Sequence, residues 1–315
     1  MLLQETISTR WPSVTVVIPT RGRPELLARA LRSIYAQRYD AHIECLVVLD
    51  GPDAATGPFP APAQGSRRSL RVIANTRKPG LAGARNTGIL AAHGELVAFC
   101  DDDDEWRPGK IGEQVPHLTG ESDVSAVSCG IEVCYGDREV PRLPRKGRVT
   151  FDDLLRDRLT DMHPSTYLAR RRDVLDRIGL VDEDIPGSYA EDYDWLLRAA
   201  RVAPIRTVES PMTRVHWHAS SYFEGRWDTI IAALQYLVHK HPEFLSEPRG
   251  LARIYGQIAF AHAAAGRTRA ARTWIRRSLE LDRRQPRPYL ALLVSFGLLR
   301  PGFVLATLHR FGRGV

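Results

Sequence analysis

The chain of 315 residues is poor in cysteine, with four in all and no Cys-x-x-Cys pair. That argues against a disulfide framework or a thiolate zinc site. Cys45, Cys100, Cys129 and Cys134 are expected to be buried reduced thiols, which fits a cytoplasmic protein. The chain also lacks a long unbroken apolar run. Its most apolar window, residues 289–308, is broken by Arg300 and Pro301 into two pieces of about ten residues, each too short to span a bilayer. The start, MLLQETISTRWPSV, has no basic segment followed by an apolar one, so no signal peptide is expected. No Gly-x-Gly-x-x-Gly follows the first apolar run, which argues against a dinucleotide dehydrogenase. Acidic residues are scarce at one end. Residues 251–315 hold twelve arginines and two acids, so they carry +10 against a total of +7, and residues 1–250 are left near −3.

What is present describes a globular protein. Hydrophobic residues make up 43% and charged residues 26%, enough for a core and against wholesale disorder. The length suggests about two domains. VTVVI (14–18), IECLVVL (43–49), LRVIA (70–74) and ELVAFC (95–100) read as buried strands. Helical spacing follows Pro24 and again spans Leu81 to Ala92. Residues 51–68, rich in Pro, Gly and Ala, read as a loop. Strands alternating with helices call for an α/β fold with a mostly parallel central sheet flanked by helices. Strand-like segments recur near 124–135, 165–169 and 205–208, and a helix is expected to begin near Asp192. From Trp227 the chain reads as helical, and residues 257–292 look like a single tetratricopeptide-type helix pair.

Two acidic features fall where such sheets bind ligands, beyond the carboxyl ends of the strands. Asp50 closes the second strand, and Asp101–Asp104 follow the fourth. Four adjacent carboxylates repel one another unless a cation neutralises them, and Mg²⁺ or Mn²⁺ favours such oxygens. Asp101-x-Asp103 alone is a weak signal, because acidic tripeptides are common on surfaces.

With these segments in order, the chain resembles the family 2 glycosyltransferases of GT-A fold. VTVVIPTRGRPELLARALRSI looks like their opening strand, loop and helix, and VVLDGPD like their second strand with its nucleotide-binding Asp. GLAGARNTGILAAHGELVAFCDDDDEW looks like their Arg-Asn helix leading to the metal motif, and IGLVDEDIPGSYAEDYDWLLRAAR like the segment bearing the catalytic base. The likeness covers about residues 12–220. It implies an inverting transfer from a nucleotide-sugar donor to the hydroxyl of a saccharide, lipid-linked or small-molecule acceptor, in cell-surface polysaccharide or glycoconjugate synthesis. It implies Asp192 as general base. Thr20, Arg21, Asp50, Arg85, Asp101 and Asp102 are implied as donor-binding residues. Asp103 and Asp101, joined by His218, are implied as ligands of Mn²⁺ or Mg²⁺. One departure is Leu49, where the family often has a second acid beside Asp50.

Plainer roles compete. Glu191, Asp192 and Asp194 could be first-turn acids favoured by the helix dipole, and of the three Asp194 reads as structural. His216 shares a strand face with His218. His163 reads best as a turn residue. Gly80, Gly83 and Gly88 suit a helix lying close to a diphosphate. The expected domains are 1–225, with a donor half at 12–110 and an acceptor half at 111–225, and a basic helical region at 226–315. That region offers a peripheral contact to the inner face of a membrane, and no nucleic acid is expected as a partner. The rival readings are a nucleotidyltransferase and a non-catalytic binding protein.

Overall fold

The computed structural model describes residues 11–51, 58–217 and 225–310, the last three without their side chains. Its centre is a sheet of ten strands. β1 (Val14–Thr20), β2 (Ile43–Leu49), β3 (Arg68–Ala74) and β4 (Leu96–Phe99) are the parallel half. β1 is wholly buried and β2 nearly so, which is why both read as continuous apolar runs. The remaining strands are β5 (Glu105–Trp106), β6 (Ala126–Tyr135), β7 (Arg138–Arg142), β8 (Arg148–Val149), β9 (Leu168–Arg170) and β10 (Ile205–His216). The spatial order is β3-β2-β1-β4-β9-β6-β10-β5, with β7 on β6 and β8 on β10. β6 and β10 are again parallel, and most of the paired residues lie in parallel ladders. The short β9 runs antiparallel between β4 and β6 and joins the halves.

Helices cover both faces. α1 (Pro24–Tyr35) begins on proline and buries Leu27, Ala30, Leu31 and Ile34 against one face, together with α3 (Lys110–Gly120). α2 (Leu81–Ala91) buries Ala82 through Ile89 on the other. Its glycines have definite reasons. A Cβ on Gly88 would lie 2.2 Å from Val17 Cγ1, and one on Gly83 would strike the Lys78 carbonyl. They let α2 sit on β1 and on its own approach loop, rather than clearing space for a ligand.

α4 (Phe151–Arg156) is started by a reciprocal cap between Thr150 and Asp153. The single turn α5 (Arg171–Asp173) runs into a π-helical turn. α6 (Glu191–Val202) follows. Next come α7 (Trp227–Lys240), α8 (Pro248–Ala264), α9 (Thr268–Leu281), α10 (Pro286–Ser295) and α11 (Pro301–Arg310). The helix pair read from residues 257–292 is a triplet, with α10 adding a third face: Gly256 of α8 packs on Arg287 and Pro288 of α10. α7 and α8 share a core with the sheet side. Ile231, Leu234, Leu251, Ile254 and Ile258 lie in one cluster with Leu154, Trp195 and Phe99. α9, α10 and α11 form a separate small core with the end of α8.

Candidate active site

The carboxyl ends of β1, β2 and β4 meet at one rim. The Asp50 amide donates to the Thr20 carbonyl at 2.9 Å, tying β2 to β1 just past both strands. The Asp50 carboxylate accepts from Asn75 Nδ2 at 2.8 Å and from the Gly80 amide at 3.0 and 3.1 Å. Gly80 has φ +124°, a backbone conformation that only glycine adopts freely, so this amide can point back at Asp50. Asp50 thus organises the loop entering α2. Arg21 stands exposed beside Gly51.

The four aspartates after β4 split into separate jobs. Asp101 accepts from Arg85 at 2.6 Å, and its amide donates to Ser165 Oγ at 2.9 Å. Asp102 is fully buried. It accepts from Thr20 Oγ1 at 2.6 Å and from Arg23 Nε at 3.1 Å. Burial pushes its carboxyl up to about 6, with Asp103 and Asp101 adding to the rise against Arg23 and Thr20. Thr20 and Asp102, expected at the donor, are therefore turned to each other and closed off from solvent. They fasten the acidic loop to β1 and to the start of α1. Asp103 pairs with Arg23 at 2.7 Å, and its carbonyl accepts from Arg29 at 2.8 Å. Asp104 is buried, accepts from Ser165 Oγ at 2.5 Å and lies 3.3 Å from His163 Nδ1. Burial, reinforced by Asp101 and Asp103, holds the Asp104 carboxyl well above the usual range.

Among the described residues on this rim, the groups able to share a metal ion are Asp101, Asp104 and His163, whose ligand atoms all lie within 4.8 Å of one another. The set differs from the expected one. Asp103 is turned to Arg23, and His218 lies outside the described residues. His163, read from sequence as a turn residue, occupies the rim. It sits on the turn before a short 3₁₀ segment, Pro164–Thr166, whose Ser165 bonds both Asp101 and Asp104. Burial holds its imidazole below its ordinary value despite Asp101 and Asp192, and its Nδ1 accepts from the Ser165 amide at 3.4 Å. Two carboxylates and an imidazole, with acidic charge in excess, fit Mn²⁺ or Mg²⁺.

Arg85 links this rim to α6. It is buried, and its two terminal nitrogens bond Asp101 and Glu191. It neutralises protein carboxylates rather than standing open to a phosphate. Its neighbour Asn86 exchanges two bonds of 2.8 Å with the Val181 backbone and reaches Glu183 Oε1 at 2.6 Å, pinning α2 to the segment before α6.

The first four residues of α6 face four sets of partners. Glu191 meets Arg85. Asp192 accepts from Arg158 Nη2 at 3.0 and 3.1 Å. Tyr193 donates to the Leu154 carbonyl of α4 and accepts from Arg253 of α8 at 2.9 Å. Asp194 is buried against His241 and Lys240, each at 2.8 Å, and Arg198 at 2.9 Å. Burial pushes the Asp192 carboxyl up, but Arg158, aided by Arg85 and His163, outweighs it and leaves the group below its usual range. The helix starts from Ala190, held in the left-handed region at φ 66°, a conformation that costs about 1–2 kcal/mol outside glycine. No local pattern in the chain marks Arg158, Ser165 or Arg253 as site-supporting residues.

Residues 15–179 match the family described as "Glycosyl transferase family 2". The chain belongs to that family. It is 29% identical over 176 residues to an uncharacterized glycosyltransferase, alr2836, of a Nostoc species, covering 54% of each chain. It is 25% identical over 180 residues to the Escherichia coli UDP-Glc:alpha-D-GlcNAc-diphosphoundecaprenol beta-1,3-glucosyltransferase WfgD, covering 57% of this chain and 66% of that protein. The chain thus spans between 54% and 66% of the length of these two curated relatives. Among solved structures, S. aureus TarS 1–349 in complex with UDP-GlcNAc superposes with a TM-score of 0.60 at 17% identity, over 96% of this chain and 92% of that one. The mannosyltransferase PcManGT of Pyrobaculum calidifontis, in complex with GDP-Man and Mn²⁺, gives 0.53 at 22% identity, over 95% and 84%. These likenesses show the shared GT-A fold.

Proposed function

We propose that this chain is an inverting, cation-dependent glycosyltransferase that moves a sugar from a nucleoside-diphosphate sugar to an acceptor hydroxyl. The observation that carries the reading is the bridge made by Arg85. It joins Asp101 of the metal-competent rim to Glu191, the neighbour of Asp192, so that a cation-holding group and a proton acceptor share one charged rim at the end of the sheet. Single displacement needs that pairing and no protein nucleophile.

Asp101, Asp104 and His163 would hold the cation, with Asp103 a further carboxylate beside them. When bound, the cation supplies positive charge to the diphosphate as it leaves. Asp192 would take the acceptor's proton while that oxygen bonds to the anomeric carbon. The bond from that carbon to the diphosphate breaks, and its electron pair leaves with the nucleotide. Arg158 fixes the orientation of the Asp192 carboxylate. Asp50 and exposed Arg21 flank the mouth at the ends of β1 and β2, where a nucleoside would lie.

The donor class is supported by the UDP-GlcNAc complex of TarS and the GDP-Man complex of PcManGT. A lipid-linked acceptor is supported by WfgD and by a Campylobacter jejuni relative named GalNAc(5)-diNAcBac-PP-undecaprenol beta-1,3-glucosyltransferase. That reading places the work at the cytoplasmic face of a membrane, in cell-surface glycan synthesis. No described helix is long and apolar enough to cross a membrane.

The test is transfer from a panel of UDP-, GDP- and dTDP-sugars, with Mn²⁺, Mg²⁺ or chelator, and the anomeric configuration of the product read by NMR. Turnover with inversion that stops on chelation is the expected result. Release of pyrophosphate from a nucleoside triphosphate and a sugar phosphate would establish the nucleotidyltransferase reading instead.

A further inference from the structure

The helical end of the chain carries an apolar prominence that its own core does not use. α10 and α11 bury Ala291, Val294 and Val304 inward. On the outside of the same turns, Leu298 is 69% exposed, Phe303 63%, Phe296 59% and Leu293 37%. These four lie within eleven residues of chain. The α10–α11 turn draws two of them together, because the Leu298 amide donates to the Leu293 carbonyl at 3.0 Å. Large apolar side chains gathered at one exposed spot point to a binding surface, whereas scattered ones do not.

The surroundings are basic. Arg272 of α9 lies over the Phe296 ring at 5.7 Å, and Arg300 stands exposed between Leu298 and Phe303. Of the two acids in residues 251–315, Glu280 is already paired with Arg276, and Asp282 is half-buried and caps the Arg284 amide. Arg267 is paired with Asp228 of α7, but most of the +10 charge of this region has no acid within the region to answer it. A second copy of the chain would bring the same positive charge against itself. An anionic bilayer answers both features, taking the phenylalanine and leucine side chains below the headgroups and the arginines among the phosphates.

We infer that the α10–α11 turn is a membrane-docking surface for anionic lipid, with Leu293, Phe296, Leu298 and Phe303 as the inserting residues and Arg272 and Arg300 as the flanking positive charges. This goes beyond the transfer chemistry and does not depend on it, because vesicle binding is read with no donor or acceptor present.

The experiment is co-sedimentation of the full chain with vesicles rich in phosphatidylglycerol and with vesicles of phosphatidylcholine alone. Binding to the first only, weakened by high salt, is expected. The double variant Leu298→Ser with Phe303→Ser should lower that binding about tenfold or more. Its thermal unfolding should match the parent, because both side chains are exposed. Three results overturn the inference: no binding to the phosphatidylglycerol vesicles, equal binding by the double variant, or a lipid-free dimer that the double variant abolishes.

Discussion

Arg158 grips both carboxylate oxygens of Asp192, at 3.0 and 3.1 Å, through one nitrogen. This contact orients the proposed base and also lowers its pKa. The consequence is a testable pH dependence. With Arg158→Met, burial acts on Asp192 without its main opponent, so the pKa rises. A base must be ionised to accept a proton, so the acid limb of the kcat/KM profile moves to higher pH. An unmoved limb would show that Arg158 does not tune this carboxylate.

Asp192→Asn keeps the shape of the side chain and removes the proton acceptor. Transfer should fall by about 10²–10⁴-fold. Nucleotide binding, measured by calorimetry, should stay within about twofold of the parent, because Asp101, Asp104 and Asp50 remain. Wild-type turnover by this variant would remove Asp192 from the mechanism.

His163 distinguishes the rim seen here from the one expected from the aspartate run alone. His163→Ala should weaken Mn²⁺ binding about tenfold or more, measured by titration with the metal alone. Should Asp103→Asn cost far more than His163→Ala, the cation sits on Asp103 and the cluster described here is not its seat.

Lys110 offers a check on the fold rather than the site. It is fully buried over the Trp106 ring at 3.9 Å, bonded to Gln114, and burial lowers its pKa to about 8 from 10.5. Between those values the unfolded chain binds the extra proton, so this residue makes stability rise as pH increases through that window. Buried Cys45, Cys100 and Cys129, with raised pKa values, act in the opposite sense. The readout is therefore the difference in Tm between the parent and Lys110→Met across pH 7–10. The parent should gain on the variant as pH rises, and a constant difference would refute a charged, buried Lys110.

Gly88→Ala tests the seat of α2 on β1. The added Cβ would fall 2.2 Å from Val17 Cγ1. A loss of about 1–3 kcal/mol in urea unfolding is expected. A neutral outcome would mean that the helix shifts freely, which the Arg85 and Asn86 contacts oppose.

The parallel half of the sheet was legible because β1, β2 and β4 are almost wholly buried and carry mainly apolar runs, two of which, β2 and β4, lead into an aspartate. β10 was read as two separate pieces, 205–208 and a stretch around His216, although it runs from Ile205 through to His216. Its ladder shifts register around Pro211, and Glu209, Ser210 and Arg214 interrupt the apolar pattern. The candidate site was legible where its residues close a strand, as Asp50 and Asp101 do. His163 and Ser165 were not, because their place comes from a turn that meets Asp104 across about sixty residues of chain. Nor could the sequence show that Asp102 turns inward to Thr20 and Arg23. Four adjacent aspartates look alike until the chain around them is folded.

The start of α6 has a further consequence. Successive helical residues point about 100° apart, so Glu191, Asp192, Tyr193 and Asp194 radiate around a full turn, and each is fastened on its own side. The rotational phase of the helix is thereby set four times over, twice by residues of α7–α8 and the turn between them. An inserted or deleted residue here would swing Asp192, the proposed proton acceptor, away from the rim. Because these anchors lie on α4, α7–α8 and α2 rather than on the loops of the rim, the position of Asp192 is set by the packed body of the protein.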